Sequence, residues 1–254
     1  MKRLFTFLLF AALIAGPLMA QKGLRLGALL LPQAALLIND DDQSLDEDSY
    51  QLALAGGMAG GISADWHFAK FMGLQLNVLY SQQGGRFTTR RDINFRNNFN
   101  TRIEYLKIPV MLSINSSPAN RKVMFGMNLG ASFNFRTRAW EYNDDPSFES
   151  PIPSNFSNFP TETERFDNFV VSLVGDIGVD VRLTYDLMMT LRLRADYIIQ
   201  DVEDKNVTFR VTEGGSTQDI KYWDWARGST RNAETFGLAG GLLIGVSYLI
   251  NPQD

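Results

Sequence analysis

Hydrophobic and polar residues alternate along most of the chain. In "DNFVVSLVGDIGVDVRLT" the odd positions include Phe169, Val171, Leu173, Ile177, Val179, Val181 and Leu183. The even positions include Ser172, Asp176, Asp180, Arg182 and Thr184. A helix would scatter those charges around its circumference, whereas a strand sends every second side chain to one face. "MMTLRLRADYIIQD" repeats the pattern, with Arg192, Arg194 and Asp196 set between Leu191, Leu193, Ala195 and Tyr197. "GLQLNVLYSQ", "LKIPVMLSIN" and "VMFGMNLGASFNFR" do the same, and Lys107 falls on the polar parity of its stretch. Pro109 interrupts that stretch. It cannot donate to a ladder, so a bulge or local distortion is expected there.

Eight strands follow from this period, over about 23–31, 51–68, 73–87, 101–115, 122–138, 167–184, 188–201 and 233–250. The spacers alternate. Long ones cover 32–50, 88–100, 139–166 and 202–232, and short ones cover 69–72, 116–121 and 185–187. An antiparallel meander with every long loop at one end is the pattern of an outer-membrane barrel, with both termini on the short-turn, periplasmic side. A soluble barrel or sandwich also alternates, but its strands run about five or six residues, against about nine to eleven for a tilted membrane strand. Trp66, Phe68 and Phe71 near one set of strand ends, and Tyr80, Phe133, Phe135 and Tyr197 near the other, are suited to interfacial girdles. The expected fold is an all-β, eight-stranded antiparallel up-and-down transmembrane β-barrel.

Composition narrows the picture. The 254 residues carry no cysteine, one histidine and a formal net charge of −4. Disulfides and thiolate metal sites are excluded, and the acidity argues against a nucleic-acid partner. Residues 1–20 begin with Lys2 and Arg3, continue through an apolar run to Leu18 and end on Ala20. They read as a secretory signal peptide, with an N-terminal anchor as the alternative, leaving 21–254 as the barrel domain. "TFGLAGGLLIGVSYLI" contains a G-x-x-x-G pair at Gly241 and Gly245. Its glycine content nevertheless disfavours a membrane helix.

The segments "GLQLNVLYSQQGGR" (73–86), "YLKIPVMLS" (105–113), "FGMNLGASF" (125–133) and "GLLIGVSYLI" (241–250) resemble the PorT-like small outer-membrane barrels of Bacteroidota. The resemblance implies an eight-stranded barrel in a Gram-negative outer membrane. Through the family's name-giving members it also implies a link to type IX protein secretion. Its motifs are strand patterns, so it speaks to fold far more than to activity.

If the odd residues of the sixth and seventh strands face lipid, Lys107, Asp176, Asp180, Arg182, Arg192, Arg194 and Asp196 turn into the lumen. An arginine facing lipid at mid-depth would cost about 2–4 kcal/mol, which fixes that parity. Pairing Thr184 with Met188 sets Arg192 opposite Asp180 and Arg194 opposite Gly178. It also sets Asp196 opposite Asp176, an unfavourable pair unless Arg194 or Lys107 bridges it. Two readings of the cluster stay open, a polar pathway and a paired plug. The plug is favoured, because about eight strands enclose an interior that side chains can fill. No catalytic residue, cofactor or metal is expected. The lone His67, with Ser63 on its face, lacks the third member of a catalytic set.

The loops hold the remaining signals. Asp40, Asp41, Asp42, Asp46, Glu47 and Asp48 form an acidic run without the EF-hand spacing for Ca²⁺, so they read as solvated charge. Arg86, Arg90, Arg91 and Arg96 suit pairing with that run or contact with lipopolysaccharide phosphates. The third loop is acidic and rich in proline and serine. Tyr222, Trp223 and Trp225, beside Lys221 and Arg227, suit a protein contact or packing over the barrel rim. These features predict a non-enzymatic structural or accessory protein acting through its loops, with a narrow porin-like channel and a lipid-modifying enzyme as alternatives.

Overall fold

The computed structural model describes residues 23–39, 50–69, 71–92, 95–116, 122–143, 165–206, 208–213, 216–221 and 234–250. Eleven strands occupy them. In chain order they are β1 (Gly23–Asn39), β2 (Tyr50–Ala53), β3 (Ala55–His67), β4 (Met72–Asp92), β5 (Phe95–Asn115), β6 (Val123–Asn143), β7 (Phe169–Arg182), β8 (Leu187–Ile198), β9 (Thr208–Glu213), β10 (Ser216–Lys221) and β11 (Thr235–Ile250). Eight of them (β1, β3, β4, β5, β6, β7, β8 and β11) pair antiparallel with their neighbours in sequence, and β1 closes on β11. The result is a closed eight-stranded up-and-down barrel. β2 prolongs the β3 edge of β4 beyond Leu54, and β9–β10 form a separate hairpin.

Alternation dictates which face is which. Leu193, Ile62, Leu129 and Phe125 are more than 60 % exposed on the outer wall, while Arg192, Arg194, Asp176 and Asp180 between such positions are buried. Large apolar side chains continue around the whole circumference, including Leu30, Leu76, Leu112, Ile177 and Ile244. So extensive an apolar exterior requires a non-aqueous partner, and with charges turned inward that partner is lipid. No helix among the described residues is long and apolar enough to cross a membrane.

Aromatic rings mark both borders of this belt. Trp66 and Phe68 meet edge to face at 6.0 Å at the short-turn end. At the long-loop end Phe169 lies 6.5 Å from Phe133 and 5.1 Å from Phe135, and Tyr197 stacks at 6.0 Å on Phe236.

Several strands outrun their expected limits. β1 continues through Pro32 to Asn39. The expected loop 88–100 is mostly strand, since β4 and β5 pair up to Asp92 and Phe95. Alternation weakens in both places, so periodicity stopped short of the hydrogen-bonded ends. The expected strand 51–68 is instead divided at Leu54 into β2 and β3.

Pro109 produces no bulge. The β4–β5 ladder skips the bridges between Leu76↔Val110 and Leu79↔Lys107 and resumes in the same register. Pro32 acts likewise on β1–β11, between Leu30↔Ile244 and Gln33↔Gly241. A missing N–H opens the ladder without requiring an extra residue. The shift on β5–β6 lies between Glu104 and Tyr105, where Thr137 is the extra residue of β6.

Candidate functional site

The lumen is the first place to look for chemistry, and its side chains form three layers. At the short-turn end Arg25 stands opposite Asp65 across β1–β3, and Asn115 Nδ2 lies 2.8 Å from His67 Nε2. Arg192 there donates from Nη1 to Asp176 Oδ1 at 3.0 Å and from Nη2 to Asp180 Oδ2 at 2.7 Å. Thr190 donates to the other oxygen of Asp180 at 2.9 Å.

The middle layer is held by contacts that cross the barrel. Lys107 on β5 donates to Asp196 on β8 at 2.8 Å, and both side chains are at most 8 % exposed. Three strand spacings separate β5 from β8, so this ion pair spans the lumen. Arg194 reaches the same way, with Nη2 at 3.8 Å from Met111 Sδ. Gln33 on β1 donates to Ser81 on β4 at 3.0 Å and Asn128 on β6 to Gln75 on β4, while Asn134 donates to Ser172 on the adjacent β7 at 3.0 Å. Leu29, Leu31, Ala59, Leu79 and Leu243 fill the remaining width as one buried apolar cluster.

A dry layer closes the long-loop end. Two segments outside the barrel strands fold inward, joined by an isolated bridge between Phe166 and Glu203. Asp167 N donates to Val202 O at 2.9 Å, and Val202 N donates to Thr235 O at 2.9 Å. Asp201 Oδ1 accepts from the N–H groups of Glu203 and Thr235 at 3.1 and 3.0 Å. These clips push Phe166 and Val202 against Leu37, Ile103, Tyr105, Ala139, Val170 and Ile198, all buried. Above them Asp167 carries a raised pKa, from partial burial first and then from the Asp204 and Asp201 carboxylates.

The structure brings Arg192, Asp176 and Asp180 together and pairs Lys107 with Asp196, but not in the expected β7–β8 register. Arg192 stands opposite Gly178, Arg194 opposite Asp176 and Asp196 opposite Val174. The expected Thr184–Met188 pair is replaced by Arg182↔Met188, a slip of two that preserves parity. The turn is wider than assumed: Leu183 N and Thr184 N both donate to Leu187 O, at 2.9 and 3.2 Å. Two physical gains follow. The Asp196–Asp176 confrontation disappears. Gly178 takes the place opposite Arg192, where a Cβ would meet the Arg192 Cα at 2.5 Å.

Arg182 stands apart from these ion pairs, its guanidinium 5.7 Å over the Tyr185 ring. Parity alone turns Arg25 and Asp65 inward, a signal the lumen set above does not include, whereas Phe166 and Val202 lie at loop margins where periodicity carries no signal. Tyr222, Trp223 and Trp225, the acidic run 40–48 and the 144–164 part of the expected loop 139–166 lie outside the described residues. Among the described residues no cluster of His, Asp and Glu is arranged to hold a metal.

A closed eight-stranded barrel with a lipid-facing exterior and charges turned inward defines a small outer-membrane barrel protein. Residues 19–202 match the family model described as "Outer membrane protein beta-barrel domain", and the chain belongs to that family. Similar solved structures include Neisserial surface protein A, at 14 % identity and TM-score 0.43, covering 89 % of this chain and 96 % of that one. OprG of Pseudomonas aeruginosa follows at 10 % identity and TM-score 0.42, covering 91 % and 97 %. Ail, the attachment invasion locus protein of Yersinia pestis, follows at 11 % identity and TM-score 0.37, covering 91 % and 100 %. No curated protein matches the chain.

Proposed function

We propose that the chain is a non-enzymatic anchor of the outer membrane, whose barrel is a sealed support and whose long-loop end engages a partner. The carrying observation is the filled lumen, in which the Lys107–Asp196 pair spans the middle and Phe166 and Val202 cap it under the loops. The functional surface is then outside. β4, β5 and β6 run well past the aromatic border, with about 40 Å of β4 beyond Tyr80 at ~3.4 Å per residue. Tyr222, Trp223 and Trp225 supply contact groups of the kind that dominate protein interfaces. The termini are periplasmic in this reading, and the PorT-like strand segments favour a protein-secretion assembly as the partner.

A narrow channel is the second reading. It is favoured by buried polar atoms without a hydrogen-bond partner among the described residues: Arg194 Nη1, Asp176 Oδ2, Asp196 Oδ1 and both amide atoms of Asn77. Such groups are usually met by buried water. Planar-bilayer recordings separate the two. The sealed barrel should give no stable openings, and Phe166→Ala with Val202→Ala should admit small ions if the apolar cap is the barrier. Stable openings in the wild type, abolished by neutralising Arg192 and Arg194, would instead establish the channel. For the partner, co-purification from native outer membranes should lose one specific protein when Trp223 and Trp225 become alanine. An unchanged set of bound proteins would remove those residues from the interface.

A further inference from the structure

The two segments that cap the long-loop end are bonded into one body. Asp167 N donates to Val202 O at 2.9 Å and Asp204 N to Arg165 O at 2.6 Å, on either side of the Phe166–Glu203 bridge. The Arg165 guanidinium lies 4.8 Å over the Phe166 ring and 3.7 Å from the Glu203 carboxylate. Residues 165–167 and 202–204 thus form a short clip across the lumen. Phe166 and Val202 are fully buried beneath it, while Asp201, Asp204 and Lys205 are partly exposed.

The clip is attached to the barrel on two sides. At its base Arg136 N donates to Asn168 O at 2.9 Å and Ile199 N to Val171 O at 3.1 Å, which extends the walls of β6 and β7. Val171 N also donates to Gln200 Oε1 at 2.8 Å. On the other side the clip meets Thr235, the first residue of β11. Val202 N donates to Thr235 O at 2.9 Å, and Thr235 N donates to Asp201 Oδ1 at 3.0 Å. The same oxygen accepts from Glu203 N at 3.1 Å, an Asx turn that bends the chain around Val202. Asp201 Oδ2 lies 3.0 Å from Lys205 Nζ. One carboxylate therefore both shapes the clip and fastens it, through charge-assisted bonds about twice as strong as neutral ones. A barrel strand is held by a ladder on both sides, whereas the clip is released once its Thr235 contacts and the packing beneath it part. Segments with so few attachments open well before the fold as a whole.

We propose that residues 165–167 and 202–204 form a hinged lid on the long-loop mouth of the lumen, with its hinge on β6 and β7 and the Asp201 carboxylate as its latch on β11. Lifting the lid uncovers the wall formed by Ile103, Tyr105 and Val170 and leaves the Lys107–Asp196 pair in place. Access from that side is then governed by one carboxylate rather than by the barrel. The inference rests on the reading of the barrel as sealed at this end and adds how the seal opens.

The chain has no cysteine, so a single Ile103→Cys, at a position 1 % exposed beneath the lid, reports access. The measurement is its rate of labelling by methanethiosulfonate ethylammonium, with the full barrel in detergent micelles. With Asp201 intact, labelling should be slow. Asp201→Ala should speed it at least about tenfold, because two N–H donors lose a charged acceptor. Asp201→Asn keeps an acceptor oxygen without the charge and should fall between the two. Leu243→Cys, in the apolar cluster deeper in the lumen, should stay unlabelled in each background, which separates an open lid from a lost barrel. If Asp201→Ala exposes Leu243→Cys, the comparison passes to Asp201→Asn at the same two positions. Labelling of Ile103→Cys no faster in either Asp201 variant than in the parent would overturn the latch and leave the seal standing. Exposure of Leu243→Cys in both variants would make Asp201 a determinant of the barrel itself and also overturn the lid. Fast labelling of Ile103→Cys with Asp201 in place would overturn the sealed barrel together with its latch.

Discussion

Asp196→Ala should lower the stability of the barrel by about 3–5 kcal/mol, because it leaves the Lys107 ammonium buried with no counter-charge. Both side chains are at most 8 % exposed, and Nζ sits 2.8 Å from the carboxylate. The other lumen carboxylates on the adjacent strand, Asp176 and Asp180, each accept a hydrogen bond from Arg192. The pair variant Lys107→Met with Asp196→Leu should recover most of the loss, as apolar residues of similar volume often match a buried ion pair. The measurement is urea-driven unfolding in lipid vesicles, followed by the heat-modifiable shift on gels. If Asp196→Ala unfolds as the wild type does, water solvates Lys107 and the lumen is not a dry plug. If the single variant is damaged and the pair variant is not rescued, the contact positions neighbouring side chains beyond its own charges.

How much of this site could be read beforehand depends on which physical rule governs each part. Parity is set by one strong constraint, since an arginine facing lipid costs about 2–4 kcal/mol. The sequence therefore shows at once that Arg192, Arg194 and Asp196 turn inward. Register obeys a weaker constraint, because a slip of two preserves parity and changes only which polar groups meet. Turn geometry decides between such registers. The wide turn at Leu183–Leu187 places Gly178, not Asp180, opposite Arg192. A clue was present all the same: the narrower turn forced two aspartates together, and avoiding that contact favours the observed pairing.

The cap lay beyond periodicity for a different reason. Phe166 and Val202 are not part of any alternating stretch, and their burial comes from loop backbone bonds and the Asp201 side chain. The proline positions show a third case. The first expected strand stops at residue 31, just before Pro32, yet the chain continues in register with β11 to Asn39. A proline removes one donor, while the opposite face of the strand remains paired: Pro32 still faces Met58 on β3, and Pro109 still faces Ser132 on β6. In a closed barrel every strand has two neighbours, so one lost bond does not end a strand.

Arg192→Met is the second large effect, and its physics is the mirror image of the first. Removing this one cation leaves two carboxylates, Asp176 and Asp180, that are four residues apart on the same face of β7. Their side chains are 0 % and 3 % exposed beside the guanidinium. Thr190 still donates to Asp180, whereas Asp176 loses the Arg192 donor and its Oδ2 already has no hydrogen-bond partner among the described residues. Arg194 stands opposite Asp176 in register and could swing from Met111 to meet it, yet it cannot serve both carboxylates. The expected loss is therefore at least the ~3–5 kcal/mol of a broken buried pair. Adding Asp176→Asn and Asp180→Asn to Arg192→Met should return stability towards the wild type, because neutral amides remove the uncompensated charge while keeping the volume. The same vesicle unfolding assay decides it. A triple variant no more stable than Arg192→Met would show that the guanidinium acts by filling space beneath Gly126 and Gly178 rather than by its charge. In that case Arg192→Lys, which keeps the charge and loses the planar fork, should be as damaging as Arg192→Met.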